Sequence, residues 1–229
     1  DQTSPASFGL FDKNVRSNIV DISVCPQLSP SLQNWLTDFR RDLPPLPSRG
    51  AVRLRVSPEG LRGVWLDFSN ESIRDILDEG DWIQRQLERN VVVEMGQKRK
   101  RVILNKTGPR AHRLTDPVFE PWFETPLTPQ SNLKTAKLFG TIGTFTQPGF
   151  LAQKTLVENV LSHIQSVSLP LRVAEFGSGI VAFTLPLLAS GASVDAFESD
   201  RTALAALELG IQTANLVRSR LTINSGDFI

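Results

Sequence analysis

The spacing of apolar residues in the first 135 positions alternates between helical and extended periods. One helix is predicted over 30–43, with Ser29 as its N-cap, Pro30 at its first position and apolar side chains that recur every three or four residues. The extended stretches 51–56 and 61–68 flank a turn that contains proline and glycine, and they predict a β-hairpin. Two short helices are predicted within 70–87, and two further strands follow by residue 104. This mixed order of strands and helices predicts an α+β domain.

After residue 135 the pattern becomes a regular alternation of helix and strand. An amphipathic helix is predicted over 151–165, and a strand, a glycine turn and a short helix occupy 171–190. A second strand over 193–198 and a helix over 201–217 lead into a third strand over 221–224. Strands that alternate with helices predict right-handed crossovers and a parallel sheet.

The 229 residues are therefore expected to form two domains with an α/β fold overall. An α+β domain covers 1–135, and the N-terminal half of a Rossmann-like domain with a parallel sheet covers 136–229. The formal net charge is +1, so the overall charge gives no argument for nucleic acid. Cys25 is the sole cysteine, which excludes an internal disulfide. The uncharged stretch 176–194 is interrupted by glycines and a proline, so we expect no membrane span and a cytoplasmic protein.

Acidic residues and glycines mark the ends of the first two predicted parallel strands. Glu175, Gly177 and Gly179 follow the first strand, and Glu198 ends the second, about 20 residues after the first acid. Glycine lets the backbone turn sharply and approach a ligand closely. A carboxylate at the end of the second strand can accept both ribose hydroxyls of an adenosine. Since ligands of open α/β sheets lie at the carboxyl ends of the strands, this pattern predicts a nucleotide-type site.

The residues around the turn favour S-adenosylmethionine over a dinucleotide. Dinucleotide sites prefer a third glycine, which lets pyrophosphate lie on the helix N-terminus, whereas this chain has Ile-Val-Ala-Phe183 there. Glu175 would also repel phosphate, but it would attract the sulfonium and amino groups of the methyl donor. Asp227 follows the third strand and could accept a hydrogen bond from the adenine amino group, although Gly-Asp is equally a turn. A purely structural glycine turn and a NAD or FAD site remain as alternatives.

Three segments of the chain are similar to segments of one enzyme family. They are Ile19-Val-Asp-Ile-Ser-Val-Cys25-Pro26, Gly140-Thr-Ile-Gly-Thr-Phe-Thr-Gln147 and Glu175-Phe-Gly-Ser-Gly-Ile-Val-Ala-Phe-Thr-Leu-Pro-Leu187. Together they resemble the RNA (uracil-5-)-methyltransferase family, whose members make 5-methyluridine in transfer or ribosomal RNA. The resemblance implies an RNA-recognition domain followed by part of a methyltransferase domain, with S-adenosylmethionine as cofactor and structured RNA as partner.

The resemblance also assigns roles within the predicted cofactor site. Gln147 would touch the methyl donor or the flipped uracil, Gly177 and Gly179 would line the methionine end, Glu198 would bind the ribose, and Asp227 the adenine. The chain departs from the family at three places. Val181 stands where the family usually has glycine, and Ala182 and Pro148-Gly149 stand where it often has asparagine. A hydrogen bond to the donor is therefore expected to be missing.

The family's chemistry needs a thiolate that adds to carbon 6 of uracil and a general base that removes the proton from carbon 5. In the family both groups lie beyond the third strand, so this chain is expected to contain no catalytic residue and not to turn over alone. Cys25 lies in the other predicted domain and is not expected to be the nucleophile. One interpretation of Cys25 is a buried structural cysteine. The other is an iron–sulfur ligand of the parent protein. This chain cannot build such a cluster alone, because three further thiolates are needed.

One dense basic run is the predicted RNA-binding segment: Lys98, Arg99, Lys100 and Arg101. A solvated strand face is the alternative interpretation of that run. Trp122 could stack on an unpaired base, although its acidic neighbours favour a core position. The expected parent protein is a monomeric RNA methyltransferase. The rival functions are a non-catalytic RNA-binding module with a degenerate cofactor pocket and a nucleotide-dependent oxidoreductase.

Overall fold

In the computed structural model, a five-stranded mixed sheet and a three-stranded parallel sheet are connected through a β-hairpin. Each of the two larger sheets has its own apolar core. The structure describes residues 7–15, 17–44, 49–68, 72–78, 80–97, 99–105, 111–128, 131, 133–146, 150–167, 170–180 and 182–226. None of the helices within these ranges is long and apolar enough to cross a membrane.

The first described elements are a small hairpin and a helix. Strands β1 (Gly9–Phe11) and β2 (Ile19–Asp21) are antiparallel, and helix α1 covers Pro30–Arg41. The hydroxyl of Ser29 accepts a hydrogen bond from the backbone N–H of Leu32, which confirms the predicted helix start.

The five-stranded sheet and its two connecting helices follow in chain order. They are β3 (Ala51–Val56), β4 (Arg62–Asp67), α2 (Ile73–Asp78), α3 (Gly80–Glu88), β5 (Val92–Met95), β6 (Lys100–Leu104) and β7 (His112–Thr115). The strands pair in sequence order. All neighbours are antiparallel except β4 and β5, which are parallel because the two helices form the connection between them.

Aromatic side chains pack the helices onto this sheet. Trp35, Phe39 and Trp82 are each at most 2% exposed, and their rings meet edge to face at centroid distances of 5.9 and 6.4 Å. They belong to one cluster with apolar side chains of β4, β5 and β6. Trp35 and Trp82 therefore lie in the apolar core between the helices and this sheet.

A second hairpin leads to the parallel sheet. Strands β8 (Glu120–Pro126) and β9 (Thr135–Gly140) are antiparallel, with an irregularity between Glu120 and Phe123. Trp122 is 2% exposed and packs with Val92 and Ile142. The core interpretation of this tryptophan is therefore confirmed, and it has no exposed ring face on which a base could stack.

The parallel sheet has the predicted alternation of helix and strand. Its elements are α4 (Phe150–Gln165), β10 (Arg172–Phe176), α5 (Thr184–Ala189), β11 (Ser193–Glu198), α6 (Arg201–Thr213), a 3-10 turn (Arg218–Arg220) and β12 (Leu221–Ser225). The strands lie in the order β10-β11-β12, all parallel. Helix α6 ends four residues earlier than predicted, because Ala214 caps it and Asn215 takes a left-handed conformation with φ +50°.

Candidate cofactor-binding site

The carboxyl ends of the three parallel strands meet at one edge of the sheet, and a glycine turn follows the first of them. Gly177 and Gly179 have φ values of +67° and +53°, which favour glycine over any residue with a Cβ. A Cβ at Gly177 would meet no atom within 4 Å, and one at Gly179 only a carbonyl oxygen at 3.9 Å. The turn therefore has open space beside it, and its conformation is the one expected from the sequence.

Backbone hydrogen bonds fix this turn against the second strand. The N–H groups of Gly177 and Ser178 both donate to the carbonyl oxygen of Phe197, at 2.9 and 3.2 Å. The side chain of Ser178 is 6% exposed, and its hydroxyl has no hydrogen-bond partner among the described residues. A buried hydroxyl of this kind usually has a partner, so this group is available to a polar ligand atom. Sequence reasoning did not identify it.

Glu198 connects the end of β11 to the glycine turn. Its side chain is 9% exposed; Oε2 accepts a hydrogen bond from the N–H of Gly179 at 2.7 Å, and Oε1 accepts one from the N–H of Asp200 at 2.8 Å. Each carboxylate oxygen has two lone-pair positions, so both can accept a further donor. The two hydroxyls of one ribose could be these further donors. Glu198, a predicted site residue, thus also stabilises the glycine turn, a role that the sequence pattern did not indicate.

Glu175 lies at the end of β10, on the same edge of the sheet. Burial raises its pKa to about 7, while a hydrogen bond from the hydroxyl of Thr184 acts in the opposite direction and the charge of Glu198 adds to the rise. A cation placed beside this carboxyl would favour its ionised form. Thr184 is fully buried at the start of α5 and was not among the predicted site residues. Its position in the Phe-Thr-Leu-Pro-Leu segment was the available signal.

Two of the predicted cofactor residues, Gln147 and Asp227, lie outside the described residues, as do the departing positions Val181 and Pro148-Gly149. Their assignments stay predictions. The segment 141–146, which leads towards Gln147, is described and is held by the five-stranded sheet. The guanidinium of Arg55 donates to the carbonyl oxygens of Ile142, at 2.6 Å, and Thr144, and Arg53 donates to that of Gly143 at 2.6 Å.

A buried carboxylate of the same sheet also binds segment 141–146. Glu94 is 3% exposed, and its Oε2 accepts the N–H of Ile142 at 3.0 Å. Burial raises the pKa of Glu94 to about 7 and lowers that of Arg55 to about 10. Neither residue was predicted as functional. The signal for Glu94 was a charged residue within the otherwise apolar strand β5.

The predicted RNA-binding run lies at the turn between β5 and β6. Lys98 is outside the described residues, and Arg99 has a φ of +48°. Lys100 forms an ion pair with Asp116, and Arg101 forms one with Glu120 at 2.8 Å. Two of the four basic charges are therefore matched by acids, and RNA binding by this run stays a prediction.

Cys25 is half-buried in the loop before α1, where its backbone N–H donates to Gln33 at 3.0 Å. Over the described ranges, no group of three or more His, Cys, Asp or Glu side chains is arranged to hold a metal ion. The structure thus supplies no co-ligands for an iron–sulfur cluster, and the ligand role of Cys25 stays a prediction.

The chain is similar in sequence to an RNA methyltransferase and in structure to a tRNA methyltransferase. An uncharacterized RNA methyltransferase of Bdellovibrio bacteriovorus is 38% identical over 224 residues, which are 96% of this chain and 55% of that protein. The tRNA (uracil-54, C5)-methyltransferase of Pyrococcus abyssi, solved in complex with S-adenosyl-L-homocysteine, superposes with a TM-score of 0.60 at 14% identity. That alignment covers 96% of this chain and 52% of the other. No protein-family model matches the chain.

The chain has a methyltransferase fold. The likeness to the archaeal enzyme extends over both the five-stranded and the three-stranded sheet. This agrees with the predicted α/β fold class. The chain spans about half the length of each of these two proteins.

Proposed function

We propose that this chain is the RNA-recognition part and the donor-binding part of an S-adenosylmethionine-dependent RNA methyltransferase. The observation that supports it most directly is the meeting of Glu175, the glycine turn and Glu198 at one edge of the parallel sheet. The Bdellovibrio relative, named as an RNA methyltransferase, supports the same class of reaction. In this proposal residues 1–135 recognise RNA and residues 136–229 bind the donor.

The described residues fit the groups of the methyl donor. S-adenosylmethionine, when bound, supplies an electrophilic methyl group on a sulfonium centre. Gly177 and Gly179 leave room for close approach to the backbone, and the hydroxyl of Ser178 is available for a hydrogen bond. Glu198 accepts from the ribose hydroxyls, and Glu175 faces the cationic methionine end.

Charge favours this ligand over a dinucleotide. Two carboxyl groups, Glu175 and Glu198, lie at the turn where a pyrophosphate would have to bind, and one raises the pKa of the other. A dianionic pyrophosphate would add to that repulsion, whereas a sulfonium and an ammonium relieve it. The nucleotide-dependent oxidoreductase is therefore the weaker alternative.

We further propose carbon 5 of a uridine in tRNA or rRNA as the methylated position. The sequence resemblance of segments 140–147 and 175–187 supports it, as does the shared fold with a tRNA (uracil-54, C5)-methyltransferase. Residues Gln147 and Asp227 keep their proposed contacts with the donor or uracil and with the adenine. A monomeric, cytoplasmic parent protein and a cluster-ligand role for Cys25 belong to the same proposal.

Calorimetry with two nucleotides tests the cofactor assignment. S-adenosylhomocysteine should give a saturable heat of binding, since it has the ribose and the ammonium group that Glu198 and Glu175 would receive. NAD at the same concentrations should give none, because its pyrophosphate meets two carboxyl groups. Binding of NAD without binding of S-adenosylhomocysteine would overturn the proposal.

Neutralising the basic run tests one part of the RNA interface. The variant K98Q/R99Q removes two charges without freeing Asp116 or Glu120, whereas K100Q/R101Q leaves both acids unpaired. If the run binds phosphates, affinity for a uridine-containing stem-loop falls in both variants, and the slope of log affinity against log salt decreases by about 0.7–0.9 for each phosphate that is no longer neutralised. Fluorescence anisotropy measures both quantities. Unchanged binding in both variants would leave the run as a solvated strand face.

A further inference from the structure

A second cleft lies in the α+β domain, away from the glycine turn. It has a volume of about 570 Å³ and lies where α1, α3 and β4 approach one another. Four arginines and two aspartates line it: Asp38, Arg41, Asp42, Arg62, Arg85 and Arg89. None of these residues belongs to the basic run that the sequence singled out.

The charges in this arginine cleft do not balance. Asp42 is shared by Arg85, at 2.8 Å, and Arg89, at 3.0 Å. The hydrogen bond from Arg85 holds the pKa of Asp42 below its ordinary value and raises the pKa of Arg85, so both stay charged at neutral pH. With two aspartates facing four guanidinium groups, the cleft has an excess of positive charge.

The second aspartate is likewise shared. Asp38 lies 2.8 Å from Arg62 and 3.6 Å from Arg41. A guanidinium has five N–H donors, and Arg62, Arg85 and Arg89 use at most two of them on these aspartates. Arg41 is too far from Asp38 to donate a hydrogen bond to it. The side chains of Arg41 and Arg89 are 75% and 57% exposed, so their remaining donors are accessible from solvent.

Buried indole groups hold the cleft in place. Trp35, 2% exposed, donates to the carbonyl oxygen of Gly63 at 3.1 Å, and its ring lies 5.1 Å from the guanidinium of Arg62. Trp82 donates to the backbone carbonyl oxygen of Asp42 at 2.7 Å. Core residues therefore fix Arg62 and the backbone of Asp42, so a ligand that binds in the cleft orders fewer side chains than one that binds a group of free surface arginines.

We propose that this arginine cleft binds a backbone phosphate of the RNA substrate. Guanidinium forks match the paired oxygens of a phosphodiester, and contacts of this kind position a nucleic acid without reading its sequence. Among the described residues that line the cleft, Trp35 is the one aromatic residue, and it is buried beneath Arg62, so base stacking is not offered there. The inference rests on the proposed RNA methyltransferase function, and it places the phosphate contact on α1 and at the end of α3.

The test compares two double variants with equal changes of charge. R41Q/R89Q removes the two most exposed arginines and leaves Arg62 and Arg85 to pair the aspartates. The matched control, R172Q/R218Q, removes two ion-paired arginines of the parallel domain whose side chains are 77% and 48% exposed. Each variant is titrated with a fluorescent uridine-containing stem-loop at several salt concentrations, and thermal melting checks that it is folded.

The proposal predicts that R41Q/R89Q binds the stem-loop about tenfold more weakly, with a salt slope reduced by about 0.7–0.9 for each phosphate that the cleft no longer neutralises. The control should match the unaltered chain, and R41K/R89K should recover most of the salt slope because lysine also neutralises phosphate. Equal affinities of R41Q/R89Q and the control would overturn the cleft assignment.

Two further outcomes separate this inference from the proposed function. A chain that binds S-adenosylhomocysteine but no RNA would overturn the RNA assignment and the cleft together. Saturable binding of inorganic phosphate that R41Q/R89Q abolishes, with RNA affinity unchanged, would assign the cleft to a small anion and overturn only this inference.

Discussion

Replacing Glu198 by alanine is expected to weaken binding of S-adenosylhomocysteine by at least about 100-fold, since hydrogen bonds to a charged group contribute about 1.5–3 kcal/mol each. The carboxylate is proposed to accept from two ribose hydroxyls, and alanine can accept from neither. The same carboxylate accepts from Gly179 and Asp200, so the glycine turn also loses its brace. Calorimetry measures the affinity, and thermal unfolding measures the effect on the turn.

Two further variants separate the proposed role of Glu198 in ligand binding from its role in stabilising the glycine turn. Glutamine at position 198 keeps an oxygen acceptor for one backbone N–H but has no carboxylate for a diol, so it should stabilise the turn more than alanine does while binding remains weak. Asp195→Ala is the matched control, because Asp195 lies on the same strand and is ion-paired with Arg172 at 2.6 Å. Unchanged affinity in the Glu198→Ala protein would contradict the assigned site.

The affinity for S-adenosylhomocysteine is expected to rise with pH, by up to about tenfold per pH unit below pH 7, because the carboxyl of Glu175 must ionise to receive the ligand's ammonium group. Its pKa of about 7 in the free chain leaves it largely protonated at lower pH, chiefly through burial. Glu175→Gln should remove this dependence. Calorimetry between about pH 5.5 and pH 7.5 measures it, and a flat profile in the unaltered chain would contradict the role given to Glu175.

The carboxyl of Glu175 should lower the free energy of unfolding as pH rises, whereas it should raise the affinity for the ligand. Its folded-state pKa lies above the ordinary value of 4.5, so the folded chain binds more protons than the unfolded chain between these two pH values. The contribution to stability is complete below about pH 4.5 and is lost as pH rises through about 7, on the order of 3 kcal/mol for a shift of this size. Without ligand, the Glu175→Gln protein should therefore lose less stability than the unaltered chain over that window.

Local sequence rules were sufficient for the parallel sheet and its turn. The alternation of helix and strand, and the glycines at 177 and 179, are properties of short stretches of chain. The left-handed φ values confirm that the turn needs glycine at both positions. The position of Glu198 beside that turn follows from parallel pairing of β10 with β11, which the alternation already implied.

Interactions between distant segments could not be predicted in this way. Strand β8 contains two prolines and two glutamates, and it is extended because it pairs with β9. The basic run looks like free positive charge until Asp116 and Glu120 are placed beside it. No local pattern gives these pairings.

Glu94 and Arg55 show the same limit at the candidate site. Their partners are backbone atoms of segment 141–146, which lie 48 and 87 or more residues away in the chain. A charged side chain in a strand usually indicates a solvated face, and here it indicates a buried contact with another segment. The four arginines of the cleft are likewise spread over α1, β4, α3 and the turn that follows α3.

The hydrogen bonds between the five-stranded sheet and segment 141–146 couple the positions of the two. Arg53, Arg55 and Glu94 project from paired strands, so the backbone positions from which they reach segment 141–146 are fixed by the sheet. Any tilt of that sheet is therefore transmitted to the segment that leads towards Gln147. In the proposed function, an RNA bound by the five-stranded sheet would be aligned with the methyl donor only as accurately as these few hydrogen bonds hold segment 141–146 to that sheet.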